Sequence, residues 1–229
     1  MRPATGSAND GGCVGEGDLM AVQVVPLAAD RWQEAGAMLA RAFHADPQFA
    51  ALFPDDVGRP AILQPFFRMA LIGALHTDQI VESTPSLSAA AVWSPPGHRA
   101  GPTMSSALSS TPQMLRWLRS APLGSVRQAM AWGSRCEQRR RQLMPDAHWH
   151  LVMLGVEPAR QRFGLGAALV RHGLARADAD RLPTFLQTED ARNAAFYGKF
   201  GFTTVEYVSP EDEPLGIPVW LMTRQPRDR

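Results

Sequence analysis

The sequence predicts an α/β domain built on one mixed sheet with helices on both faces, and three observations carry this. Leu151-Val152-Met153-Leu154-Gly155-Val156 is apolar or Gly throughout and is stopped by Glu157-Pro158, after which Ala167, Val170, Leu174 and Ala177 fall at helical spacing. A second change from strand to helix runs through Pro183 to Thr188 and then Ala194 to Phe200. Gln79 to Ser83 and Ser88 to Ser94, parted by Pro85-Ser86, have the spacing of a hairpin.

In chain order, residues 1–19 are rich in Gly, Ser, Ala and Asp and hold no apolar run. They are expected to form a disordered tail ahead of a single domain over 20–229, with Met20 an alternative first residue. Ala21 to Pro26 reads as a short strand. Asp30 and Gln33 have the spacing of a capping box for a helix reaching about His44, with Trp32, Leu39 and Phe43 on one face. Asp46-Pro47 and Phe53-Pro54 break the chain twice and leave Phe49 and Leu52 in a short buried turn. Leu63, Phe66, Phe67, Ala70, Leu71 and Ala74 draw the next helical stripe.

Ala89 to Trp93, small and apolar throughout, reads as a central strand. From about Thr103 to Met144 the spacing is helical, broken near Pro122-Leu123-Gly124. The Trp and Met residues between 104 and 149 suit either helix packing or an acceptor pocket. Leu151 to Val156 has the composition of a strand covered on both faces. Gly201 is expected as the left-handed cap of the last helix, and Phe202 to Val208 and Ile217 to Arg224 close the sheet as antiparallel strands.

A formal charge of +1 over 229 residues gives no field for nucleic acid or an anionic membrane, and Arg139-Arg140-Arg141 reads as a solvated helix face. Cys13 and Cys136 encode no disulfide framework, which points to the cytosol. His148 and His150 share a strand face but have no third ligand spaced with them, so no metal is expected. The sequence sets no oligomeric state.

Chemistry concentrates at Gln161-Arg162-Phe163-Gly164-Leu165-Gly166. Glycines at a helix start let a ligand approach the unpaired amides of the first turn, and the positive end of the helix dipole favours a phosphate there. On two glycines alone, a tight strand-to-helix link explains the stretch equally well. The absence of Gly-Lys-Ser or Gly-Lys-Thr excludes a Walker loop. Leu169 stands where a dinucleotide fingerprint wants its third glycine, which weakens that alternative although Glu189 lies about 20 residues further on.

The same hexapeptide resembles the Gln/Arg-x-x-Gly-x-Gly/Ala motif of the GCN5-related N-acetyltransferases, the GNAT family. Asn193, Phe196-Tyr197 and Gly201-Phe202 resemble a second motif of that family, in the expected order and spacing. Ala90 to Trp93, Trp149-x-Leu151, Gly155-Val156 and Trp220 to Arg224 further resemble its antibiotic-acting members. The resemblance implies the GNAT fold: a mixed, mostly antiparallel sheet of six to seven strands, whose parallel central pair splays between Leu154 and Leu186 to admit coenzyme A.

It also implies acetyl-coenzyme A as cosubstrate. The amides of Gln161, Arg162, Phe163, Gly164, Leu165, Gly166 and Ala167 would hold the pyrophosphate, and the backbone of Leu154, Gly155 and Val156 would hold pantetheine. Asn193 would face the cofactor arm and Tyr197 its sulfur.

A phenol, at about 10 against about 8.5 for a thiol, stays protonated at neutral pH, so Tyr197 is the expected general acid. Gln187 stands where antibiotic-acting members often carry Glu, and a neutral amide cannot accept the proton of an amine. Glu189 and Asp190, at the C-terminal mouth of that strand, are candidates for base or substrate contact, although helix capping explains acids there equally well. The expected activity is acetyl transfer to a primary amine of a small molecule by direct attack in a ternary complex. A protein or peptide amine, or a non-catalytic acyl-coenzyme A-binding module, are the alternatives.

Overall fold

The computed structural model describes residues 22–97 and 104–227, so the expected tail over 1–19, with Cys13, lies outside the described residues. In order the elements are β1 (Val25–Pro26), α1 (Trp32–Ala42), α2 (Pro47–Leu52), α3 (Arg59–Leu75), β2 (Ile80–Ser83), β3 (Ala89–Ser94), α4 (Met104–Ser120), α5 (Leu123–Leu143), β4 (Trp149–Val156), α6 (Leu165–Asp180), β5 (Thr184–Thr188), α7 (Ala191–Gly198), β6 (Thr203–Val208) and β7 (Val219–Arg224). The strands form one seven-stranded sheet in the order β1-β2-β3-β4-β5-β7-β6. All neighbours are antiparallel except β4 and β5. This is the α/β sheet with a parallel pair that the sequence led us to expect.

Both faces of the sheet are covered. On one, Leu39, Leu63, Phe67 and Leu71 of α1 and α3 pack on Ala90 and Val92; on the other, Leu169, Val170 and Leu174 of α6 pack on Ala89, Ala91 and Trp93. The two-residue period of a strand thus sends alternate residues of β3 into two different cores, which is why Ala89 to Trp93 are all apolar. Among the described residues, no helix is long and apolar enough to cross a membrane.

Several local expectations need correction. Arg31 rather than Asp30 precedes α1, and no side chain caps that helix; the Arg31 guanidinium bonds Glu34 Oε2 at 2.9 Å and Pro85 O at 2.8 Å. The turn holding Phe49 and Leu52 is a helix, because Asp46 caps it and Pro47 takes the first position, where no amide is needed. Asp190 likewise starts α7 at Ala191 rather than Ala194, while Gly201, at φ 92°, is the left-handed cap expected at its other end: Gly201 N donates to Gly198 O at 3.0 Å and Phe202 N to Tyr197 O at 3.4 Å. The arginine run is clamped rather than merely solvated: Arg139 pairs with Glu213, and Arg140 and Arg141 both pair with Glu137.

The largest departure is in β4. Its apolar run suggested cover on both faces, yet Val152 is 42% exposed and Met153, Leu154 and Val156 are only half-buried. The pairing with β3 explains part of this: Val92 faces Met153 and Trp93 faces Leu151, so Val152 is an extra residue in a β-bulge. The rest follows from a gap beside the strand.

Candidate active site

Strands β4 and β5 pair only through Trp149 with Thr184 and His150 with Phe185. Beyond that point β4 runs on to Val156 and β5 to Thr188, and the two separate. Glu157 N donates to Ser88 O at 2.9 Å, so by the alternation of an antiparallel ladder Gly155 and Met153 turn their amides toward β3. Leu154 and Val156 then present their backbone groups to the opening. A cavity of about 290 Å³ occupies it, lined by Leu154, Gln187, Glu189, Asn193, Tyr197 and Asp46 among others.

At the outer end of the opening, Arg162 (φ 71°) and Gly164 (φ 78°) are both left-handed, so the chain bends sharply as it enters α6. Gly164 is the N-cap of α6 and offers no side-chain cap; the first intrahelical bond is Ala168 N to Gly164 O at 3.0 Å. The amides of Leu165, Gly166 and Ala167 precede that bond, and no acid occupies the first turn. Gln161, Arg162 and Phe163 are exposed around this end.

A Cβ on Gly166 would meet Val156 Cγ2 at 3.3 Å and Leu154 Cδ2 at 3.7 Å. Gly166→Val therefore puts a branched side chain between the helix start and β4. It is expected to weaken acetyl-coenzyme A binding at least about tenfold while circular dichroism and Tm stay near parent values. Calorimetry showing parent affinity in a folded variant would reject this seat.

The inner end is acidic. Glu189, 7% exposed, accepts from Gln187 Nε2 at 3.1 Å, and the same amide nitrogen lies 3.2 Å from Cys136 Sγ. Burial first, then the neighbouring Asp46 carboxylate, pushes Glu189 up to about 8. Asp46, held by a 2.9 Å bond from Gln48 N to its Oδ1, is raised by burial to about 6. Tyr197 is pushed well upward by burial and then by Glu189 and Asp46, and Cys136 is pushed by burial to about 12. Asp190 is elsewhere: it caps α7 through Arg192 N and pairs with the Arg192 guanidinium at 2.6 Å, which holds its carboxyl below the usual range.

Asp46 was not singled out by sequence reasoning, because Asp46-Pro47 reads fully as a chain break. The contribution of α5, which brings Trp132, Cys136 and Arg140 to the cleft, carried no motif either. His148, expected to share a strand with His150, precedes β4; it is engaged by Arg140 Nη1 at 2.6 Å and Asp146 O at 2.7 Å and is held below its usual value by burial.

A raised carboxyl has a consequence for stability. The stabilisation associated with a neutral, buried Glu189 is complete below the ordinary carboxylate range and is lost as pH rises through about 8. Glu189→Gln keeps the shape and an acceptor for Gln187 without the charge. Its Tm should exceed the parent's by several degrees at pH 9 and much less at pH 6; equal differences at both values would show that Glu189 is not held neutral.

Residues 107–202 match the model of the acetyltransferase (GNAT) family. In fold the chain is similar to a histone acetyltransferase HPA2 and related acetyltransferase from Corynebacterium glutamicum, 19% identical, covering 92% of this chain and 99% of that one with a TM-score of 0.60. It is also similar to arylalkylamine N-acetyltransferase 2 from Aedes aegypti, 12% identical over 90% and 99% of the chains with a TM-score of 0.63. A third similar structure is the C-terminal condensation domain of Ebony in complex with beta-alanyl-dopamine, 12% identical over 89% and 98%, TM-score 0.57. At these identities the likeness is one of fold.

Proposed function

We propose that this chain, an acyltransferase of the GNAT family using acetyl-coenzyme A, acts in the cytosol and transfers acetyl to a primary amine of a small molecule by direct attack in a ternary complex. The observation that carries the reading is the unpaired edge of β4, with the Leu154 and Val156 backbone turned into an opening that ends at the uncapped start of α6. These residues fit an extended chain carrying a pyrophosphate: the strand edge offers amides and carbonyls, and the open amides of Leu165 to Ala167 at the start of α6 offer donors for an anion. The bound cosubstrate supplies the thioester.

The protein's own groups supply proton traffic. Asp46, near 6, is ionised at neutral pH and suited to take a proton from the attacking amine. Tyr197 lines the same cleft and stays protonated, suited to supply the proton that the departing sulfur needs. Glu189, protonated up to about 8 and close enough to perturb Tyr197, restores that proton. Gln187 orients Glu189 instead of acting as a base.

A small amine is favoured because α5 lies over the inner end of the cleft, bringing Trp132 and Arg140 into its lining. The Aedes aegypti protein is named for arylalkylamines and the Ebony domain holds an amide of dopamine, which lends support. The resemblance of Ala90 to Trp93 and Trp220 to Arg224 to puromycin N-acetyltransferase makes puromycin one of the first amines to try. A thiol-release assay with acetyl-coenzyme A over puromycin, arylalkylamines, aminoglycosides and peptides tests the reading. Turnover of a small amine is expected; turnover of peptides alone would transfer the role to a protein acetyltransferase, and cofactor binding without turnover would leave a binding module.

A further inference from the structure

A second, larger cavity of about 690 Å³ adjoins the cleft. The two share Glu137, Arg140, His150 and the bulged Val152 in their linings, so the larger one opens on the inner end of the smaller. Its volume falls in the range of sites that enclose a drug-sized molecule. It lies between α3, α4 and α5, and the last two are the pair of helices inserted between the adjacent strands β3 and β4.

Its lining is of three kinds, with Thr77, Gln79, Ser94 and Ser110 as neutral polar groups beside apolar and charged ones. Met69, Ala70 and Ala74 of α3, Met114 of α4, Met144 after α5 and Val152 are apolar, and three of these six are the adaptable methionine. The charged groups cancel: Arg140 and Arg141 stand against Glu137 and Asp146. Glu137 holds both arginines at 2.7 Å, and that contact depresses its carboxyl to about 2. Arg140 is further engaged by His148. Glu137 and the two arginines satisfy one another, and with Asp146 counted the cavity carries no surplus charge to select a phosphate, a carboxylate or a polycation. The cleft it opens on does carry such a preference, since Asp46, ionised at neutral pH, favours a single cation there.

We infer that the larger cavity seats the body of the acceptor, and that the acceptor is a primary amine carrying an uncharged, largely apolar group of drug-like size. The inference rests on the acetyltransferase reading above. A cationic head is drawn to Asp46, and an apolar body passes Val152 into the space between the helices. An aminoglycoside, with several cations and a hydroxyl-covered surface, is disfavoured in it.

Gly73 gives a clean test. It lines the cavity, and a Cβ built on it meets nothing within 4 Å, so a side chain there starts into open space and Gly73→Phe is directed at the cavity, while replacing glycine inside a helix does not cost helix propensity. Calorimetry with 2-naphthylethylamine, with ethylamine and with acetyl-coenzyme A, on the parent, Gly73→Ala and Gly73→Phe, reads the outcome. The naphthyl amine should bind the parent and Gly73→Ala alike and lose at least about tenfold in affinity in Gly73→Phe. Ethylamine acetylation and acetyl-coenzyme A affinity should not change.

Failure of the parent to bind the naphthyl amine overturns the inference, as does equal binding by Gly73→Phe. So does a Gly73→Phe effect confined to longer acyl-coenzyme A donors, which would make the cavity an acyl-chain site. Failure of acetyl-coenzyme A itself to bind the parent is a separate result and removes the acetyltransferase reading.

Discussion

Asp46→Asn should lower kcat/KM for the amine by on the order of 10³-fold, within the range a positioned base contributes, while acetyl-coenzyme A affinity is kept. The side-chain oxygen of Asn can still accept from Gln48 N, so α2 keeps its cap and the fold is preserved. What is lost is only the ability to take a proton. Burial places the Asp46 carboxyl at about 6, so in the parent the base is present above that value, and activity falls as pH drops through it. The same limb should be missing from the residual activity of Asp46→Asn. A variant with parent turnover, or one that retains the limb near pH 6, would assign the base elsewhere. Glu189 is a poorer choice, because at about 8 it remains protonated where the reaction is to run.

How far the sequence anticipated this site depends on whether the signal was local. The turn at Gly164 and Gly166 was legible because a left-handed residue and an open helix start leave a mark in consecutive positions, and the structure has Gly164 at φ 78° at the start of α6. The strands and helices followed from the spacing of apolar runs and the parallel β4 and β5 pair from the family resemblance, whereas the strand order, with β7 between β5 and β6, had no local mark in the sequence. Asp46 was not legible: its local context is fully explained as a chain break, and what raises its carboxyl is burial in a cleft whose other lining residues, among them Leu154 and Glu189, lie more than a hundred residues away in sequence. Val152 shows the same limit from the other side. An apolar residue in an apolar run reads as core, and only the register with Val92 and Trp93 shows that it is bulged out toward two cavities. Glu189 and Asp190 are adjacent acids, equivalent in the sequence; the structure separates them because strand and helix geometry aims one inward and leaves the other to cap α7.

Tyr197→Phe should keep acetyl-coenzyme A affinity and lower turnover by on the order of 10²-fold, the low end of what a positioned acid supplies. The change removes a hydroxyl and leaves the ring packed edge-on against Phe196 and Phe202, with centroids 5.2 and 5.9 Å away. Burial and two nearby carboxyls make this phenol a weaker acid than a free tyrosine, which at first sight argues against proton donation. The cleft offers its own gauge of the acceptor: Cys136, a thiol in the same lining, is pushed by burial to about 12. A thiolate released there is correspondingly more basic than one in water, so donor and acceptor rise together and the transfer stays near balance. The phenol stays protonated from pH 6 to 9, and loss of its proton should therefore depress turnover uniformly over that range. That flat loss distinguishes Tyr197 from Asp46, whose removal also erases the limb near pH 6. If the Phe variant turns an amine over at the parent rate across this range, Tyr197 serves only packing and water protonates the sulfur.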